Sequence, residues 1–186
     1  PLIGLVGRLT SQKGFDILTP VLPELLVRHG FQLVVLGSGE ARLERMFHSL
    51  QRDFPRQVCF YRGFSNPLAH LIEAGADMFL MPSRYEPCGL NQLYSLRYGT
   101  LPLVRAVGGL ADTVVDSNPQ TLADGSATGF AFQRPDAAEL LATLRRAAAL
   151  WYDQQAWRGI QLAAMAQDYS WQRSAQRYLQ LYDAPL

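Results

Sequence analysis

Residues Asp77–Gly99 read DMFLMPSRYEPCGLNQLYSLRYG: an apolar run, a turn holding a proline and a glycine, then a segment with helical character. Strand, turn and helix in that order form the repeating unit of a parallel α/β sheet. The unit recurs outward in both directions. LIGLVG (Leu2 to Gly7), QLVVLG (Gln32 to Gly37), VCFYRG (Val58 to Gly63), DMFLMP (Asp77 to Pro82) and LPLVRA (Leu101 to Ala106) are short and apolar without clean alternation, as strands covered on both faces are. Helix-like segments alternate with them: Gln12 to His29, interrupted at Pro20 or Pro23; Glu40 to Asp53; Pro67 to Ala74; and Gly89 to Tyr98. TGFAFQ (Thr128 to Gln133) reads as a last strand. From Asp136 the chain is helical and rich in alanine and leucine, and a final helix starts at Ser170, an N-cap residue, with Tyr178, Leu181 and Tyr182 on one stripe. The expected fold is a Rossmann-like, doubly wound parallel sheet in a single domain over residues 1–186.

The 186 residues are 48% hydrophobic, enough to bury one full core, and 17 basic against 16 acidic side chains leave a net charge of +1. That balance speaks against a nucleic-acid partner or an anionic membrane surface. No apolar run reaches the eighteen or so residues of a membrane span. Two cysteines, Cys59 and Cys88, give neither a disulfide framework nor a paired-cysteine zinc site, and a reducing, cytoplasmic compartment is expected. The chain opens on Pro1 and enters a strand at once, which reads as a piece of something longer.

In open α/β sheets ligands bind beyond the carboxyl ends of the strands, so the turns after the strands hold the informative residues. After the first strand, GRLTSQKGFD carries Arg8 and Lys13, with Thr10 and Ser11 as candidate caps. Two cations at a helix start oppose the dipole unless an anion such as phosphate joins them, although two solvated surface cations read equally well there. The P-loop spacing is missing. GSGE (Gly37 to Glu40) begins like a dinucleotide fingerprint, but Arg42 stands where its third glycine belongs, and close helix packing explains it better. Phe64 follows the third strand, where an aromatic face can lie against a nucleobase or enter the core. Glu86, beside Pro87, stands in the fourth turn, where a carboxylate also suits a helix start for capping alone. Gly108 and Gly109 open a helix after the fifth strand and would let a ligand approach backbone amides. No D-x-D pair and no His, Cys or carboxylate cluster at ligand spacing occurs, so no metal and no cofactor are expected. His29, His48 and His70 read as surface or packing residues.

Four stretches then resemble one family. GRLTSQKGFDIL, SRYEPCGLNQLYSLRYGTLPLVRAVGGLADTV, ADGSATGF and YSW, in that order, are similar to the C-terminal half of bacterial glycogen synthases and plant starch synthases. The resemblance implies a GT-B fold of two Rossmann-like domains, this chain being the one that holds ADP-glucose. It also implies glucose transfer, with retention, to the 4-hydroxyl at the non-reducing end of an α-1,4-glucan. By motif it implies that Arg8 and Lys13 hold the donor phosphates and that Glu86 meets hydroxyls of the glucose. The amides of Cys88, Gly89, Leu90 and Asn91 would face the sugar and distal phosphate, and Phe64 would lie near the adenine. Tyr94 stands where related transferases carry a second glutamate, and Asn91 and Val107 replace a threonine found in many relatives.

The resemblance places the glucan acceptor on an N-terminal domain outside this chain, leaves the isolated chain inactive, and turns the helix after Ser170 toward that domain. A non-catalytic nucleotide-sugar-binding module is the alternative. A redox Rossmann domain lacks its glycine fingerprint and its acidic ribose partner.

Overall fold

The structure, a computed structural model, describes residues 1–183. Six parallel strands, β1 (Leu2–Val6), β2 (Gln32–Gly37), β3 (Val58–Arg62), β4 (Met78–Met81), β5 (Leu101–Arg105) and β6 (Phe130–Phe132), form one sheet in the order β3-β2-β1-β4-β5-β6. Every expected strand is present, and the order is that of a doubly wound Rossmann-like sheet. The chain winds outward from β1 to β3, then returns to the far side of β1 as β4, so the switch point lies between β1 and β4.

Successive strand residues face opposite sides, and both sides are covered. Met78 and Leu80 join a core with Leu22, Leu25 and Leu26 of α1 (Leu22–Arg28), Leu43 and Phe47 of α2 (Ala41–Asp53), and residues of α7 (Ala137–Tyr152) and α8 (Gln154–Met165). Phe79 and Met81 face the other way, onto Ala69 and Ile72 of α3 (Asn66–Gly75) and Leu110 of α5 (Gly109–Thr113). The remaining helices are α4 (Asn91–Tyr98), α6 (Pro119–Ala123) and α9 (Trp171–Tyr182), the last capped by Ser170, whose hydroxyl accepts from the Arg173 amide. Among the described residues, no helix is long and apolar enough to cross a membrane.

Two expectations are corrected. The segment Gln12 to His29 is not one helix with a kink: two 3-10 turns, Ser11–Lys13 and Phe15–Leu18, precede a short α1 with Pro23 in its first turn. Neither Thr10 nor Ser11 caps them; the Ser11 amide and hydroxyl donate to Glu40 instead. The glycines of GSGE serve the meeting of two turns, not helix packing. A Cβ on Gly37 would lie 2.2 Å from the Gly7 carbonyl oxygen, and one on Gly39 2.3 Å from that of Leu9.

Gly14 joins the 3-10 turns at φ 73°, and a Cβ there would come within 1.9 Å of the Pro82 carbonyl oxygen. The first turn is thereby pressed onto the end of β4. Gly30 has φ 62° but open space around it. Gly30→Ala is therefore expected to cost about 1 kcal/mol for the left-handed backbone alone. Gly14→Ala adds a backbone overlap, for ~3 kcal/mol or more. Thermal or urea unfolding of the two variants measures the difference.

Candidate functional site

The strand ends at the switch point leave a crevice between the turn after β1 and the turn after β4. The turns are bound to each other before any ligand arrives. The Arg84 amide donates to the Gln12 carbonyl at 2.8 Å, and the Arg84 guanidinium reaches both carboxylate oxygens of Asp16 at 2.6 and 3.0 Å. Across the same gap Lys13 Nζ lies 2.5 Å from Glu86 Oε2, which also accepts from the Ser83 hydroxyl at 3.1 Å. Glu86 is 8% exposed. It caps no helix: the N-cap of α4 is Leu90, and no side chain bonds there. Of the two cations noted in the first turn, Lys13 thus has an internal counter-ion. Arg8 is exposed and has no carboxylate within ion-pair distance among the described residues.

The turn that presents Glu86 is held from behind. Arg105, at the end of β5, donates from Nε to the Ser83 carbonyl at 2.9 Å and from Nη2 to the Arg84 carbonyl at 2.8 Å. Gln92, fully buried, donates to the carbonyls of Cys88 and Gly89 at 3.0 and 3.1 Å. Gly108 and Gly109 are packed against this turn. A Cβ on Gly108, at φ 50°, would meet the Glu86 carbonyl oxygen at 2.2 Å, and one on Gly109 would meet that of Cys88 at 2.1 Å. The Gly109 amide already donates to the carbonyls of Glu86 and Pro87, both at 3.2 Å. In this structure the Glu86–Cys88 backbone lies against this glycine pair.

Two adjoining clefts open on this crevice. The inner one, about 250 Å³, is lined by Arg8, Lys13, Ser83, Glu86, Gly89, Leu90 and Asn91 among others. The outer one, about 260 Å³, shares Val6, Gly7, Arg8 and Asn91 with it and runs on to Phe64, His70, Glu73 and Tyr94. Phe64 is 80% exposed, so it belongs to a surface and not to the core. At the junction the amides of Gly89, Leu90 and Asn91 find no acceptor among the described residues, as at any uncapped helix start. The Asn91 side chain is turned back, its Nδ2 donating to the Val6 carbonyl at 3.1 Å. Eight of the expected residues therefore line the clefts: Arg8, Lys13, Phe64, Glu86, Gly89, Leu90, Asn91 and, on the outer wall, Tyr94. Cys88 is exposed on the turn but lines neither cleft, and Gly108 and Gly109 lie behind it.

The family model for glycosyl transferases group 1 matches residues 1–158. The chain belongs to that family. A glycogen synthase of Thioalkalivibrio sulfidiphilus is 53% identical over 182 residues, 98% of this chain and 38% of its own length. One from Anaeromyxobacter dehalogenans is 54% identical over 184 residues, covering 98% of this chain and 37% of its own length. The chain thus spans less than two-fifths of the curated relatives it matches. Among solved structures, the catalytic domain of starch synthase IV from Arabidopsis thaliana, bound to ADP and acarbose, superposes with a TM-score of 0.83 at 33% identity, over 98% of this chain and 38% of that one. A sucrose-phosphate synthase from Thermosynechococcus elongatus, at 22% identity and a TM-score of 0.68 over 100% of this chain and 46% of that one, shares the fold.

Within this glycosyl transferase domain, sequence reading missed four residues around the clefts. Arg105 and Gln92 announce nothing by spacing, because their partners are carbonyls of a turn. Ser83 stands three residues before Glu86 but looks like any turn serine. His70, which reads as a surface or packing residue, stands on the outer cleft beside Glu73, which is 2% exposed. Burial pushes the Glu73 carboxyl above the usual carboxylate range, and His70 opposes that shift.

A carboxyl whose folded pKa is raised keeps its proton after the unfolded chain has released one. Its effect on stability is absent below the unfolded value and grows unfavourable as pH climbs toward the folded one. Glu73→Gln is therefore expected to raise the melting temperature relative to wild type near pH 7, with the gain vanishing near pH 4. Parallel melts of the two proteins across that range measure it.

Proposed function

We propose that the chain is the donor-binding half of a retaining glucosyltransferase that extends α-1,4-glucan from ADP-glucose. The observation that carries this reading is the convergence of Arg8, Lys13, Glu86 and the free amides of Gly89–Asn91 at the sheet's switch point, opening toward an exposed Phe64. The relatives named glycogen synthase, and a starch synthase bound to ADP that is alike over 98% of the chain, support the choice of donor.

On this reading the diphosphate meets Arg8, Lys13 and the start of α4, where cations and a helix N-terminus supply positive charge without a metal. Glu86 accepts hydrogen bonds from hydroxyls of the glucose. The bond between the anomeric carbon and the phosphate oxygen breaks as a bond to the acceptor's 4-oxygen forms on the same face. The acceptor's proton passes to the departing phosphate, whose growing charge the cations and amides stabilise in place. Retention then needs no covalent enzyme intermediate, and Tyr94, in the position of a second glutamate, is no second carboxylate. The acceptor belongs on the part of the enzyme that this chain does not span. The same part would cover the outer face of α9, where Trp171, Tyr178, Leu181 and Tyr182 are 86, 61, 67 and 78% exposed.

Calorimetric titration of this chain with ADP, UDP, AMP and ADP-glucose tests the donor assignment, ADP being expected to bind more tightly than UDP. Arg8→Ala and Lys13→Ala are each expected to weaken ADP by about 1.5–3 kcal/mol, the range of a charge-assisted hydrogen bond. AMP should lose much less, and equal losses for AMP and ADP would sink the assignment to the distal phosphate. Chelation with EDTA is expected to leave ADP affinity unchanged; a tenfold loss would reveal a metal in the site.

Glu86→Gln should act differently, because its partner Lys13 remains free to meet the phosphates. ADP affinity is expected to hold within about threefold, while glucose transfer, assayed with labelled ADP-glucose and glycogen in a protein spanning both halves, falls ~100-fold or more. Near-normal transfer would return Glu86 to a structural role.

A further inference from the structure

The outer cleft contains a polar pair that the phosphate and sugar assignments leave unused. His70 and Glu73 lie one turn apart on α3, with His70 Nδ1 3.3 Å from Glu73 Oε2. The contact is off the direction a hydrogen bond requires, and both atoms are buried without a hydrogen-bond partner. Such atoms are uncommon in folded proteins and each costs free energy, so a pair of them on a cleft wall calls for a reason. The two side chains differ in reach. Glu73 is 2% exposed, whereas the His70 side chain is 40% exposed although its Nδ1 is buried. Tyr94 and Tyr98 flank the ring edge-on, with centroids 5.4 and 6.2 Å away, so its plane is fixed on the sides as well as from behind.

Position within the cleft identifies what the exposed part of His70 faces. The outer cleft runs from Phe64 at its rim to Arg8 and the start of α4 at its junction with the inner cleft. A nucleotide that lays its base on Phe64 and its phosphates on Arg8 must hold its ribose between the two. His70, Glu73 and Tyr94 supply the polar groups of that stretch of wall. With a carboxyl oxygen of Glu73 behind it, Nδ1 is better placed as an N–H than as a lone pair, which leaves Nε2 as an acceptor toward the cleft. Ribose presents two hydroxyl donors.

We propose that His70 is a donor-binding residue that accepts a hydrogen bond from a ribose hydroxyl of the nucleotide, and that Glu73 is a positioning residue that holds the imidazole in the orientation and tautomer this contact needs. The proposal rests on the donor-site reading above. It adds a contact that recognises the sugar of the nucleoside, independent of the base and the phosphates.

The test is affinity of this chain for ADP, 2′-deoxy-ADP, 3′-deoxy-ADP and inorganic pyrophosphate, measured calorimetrically for wild type, His70→Ala, His70→Gln and Glu73→Gln. Wild type is expected to prefer ADP to at least one deoxy analogue by about tenfold, the worth of one hydrogen bond to a neutral group. His70→Ala should remove that preference and leave pyrophosphate unaffected. His70→Gln, whose amide can reach the place of Nε2, should restore part of it. Glu73→Gln, which keeps shape and loses the charge, should lower the preference while the protein stays folded by melting temperature. A merely structural role would weaken all four ligands alike. Undiminished preference in His70→Ala, or a parallel loss for pyrophosphate, overturns this inference and leaves the donor site standing. If wild type binds neither ADP nor its deoxy analogues, the donor-site reading falls and this inference falls with it.

Discussion

The ion pair between Lys13 and Glu86 spans the switch point of the sheet, and the rest of the site is arranged around it. At 23 and 10% side-chain exposure, the pair is removed from most of the water that would screen it, yet each charge has also given up part of its hydration. Pairs of this kind contribute little net stability and much geometry. Here the geometry is that of two turns from strands β1 and β4, which parallel sheets leave apart at this one place. Arg84 with Asp16, Arg105 on two carbonyls, and Gly14 against Pro82 make the same connection by other means. Removal of the charge pair alone would not release the turns. The pair is thus not needed to hold the turns together, and on the proposed reading a ligand would separate the lysine from the carboxylate.

Such a separation bears on selectivity. An anion entering the inner cleft meets Lys13 already neutralised, and it also meets the negative charge of Glu86. Simple phosphate gains from one and is repelled by the other. On the proposed reading, a sugar diphosphate would offer both partners something: its charge to the cation, and hydroxyl donors to the carboxylate. Glu86 then gains new donors only from a ligand that brings a sugar. Arg8, exposed and without a carboxylate partner among the described residues, carries no such condition and can attract any phosphate.

The sheet was legible in the sequence because parallel strands buried on both faces write themselves as apolar runs, and all six were found with small shifts at their ends. Arg8, Lys13, Phe64 and Glu86 were legible as candidates because turns after such strands are where polar residues have few structural duties. Legibility failed where the cause was tertiary. Nothing local in SQKGFDIL separates two 3-10 turns from a helix; the approach of Gly14 to Pro82 decides it. The glycines at 108 and 109 were correctly seen as permitting a close approach, but composition cannot say whether ligand or backbone approaches. His70 and Glu73 stand three apart, a spacing shared with countless surface pairs, and only the burial of Glu73 sets them aside.

A site of this kind gains from being built of backbone pressed on backbone. Where Gly14, Gly108 and Gly109 let main chains meet, no side-chain rotamer can relax to absorb a displacement, so the amides of Gly89–Asn91 and the carboxylate of Glu86 are fixed relative to the strands. Stabilisation of developing charge depends on dipoles that are already aimed and need not reorganise. The exposed helix α9 stands at the other extreme, with Trp171 on its solvent side and no side chain of its own buried. On the proposed reading, a second surface closing over the crevice would exclude water and strengthen those contacts already in register.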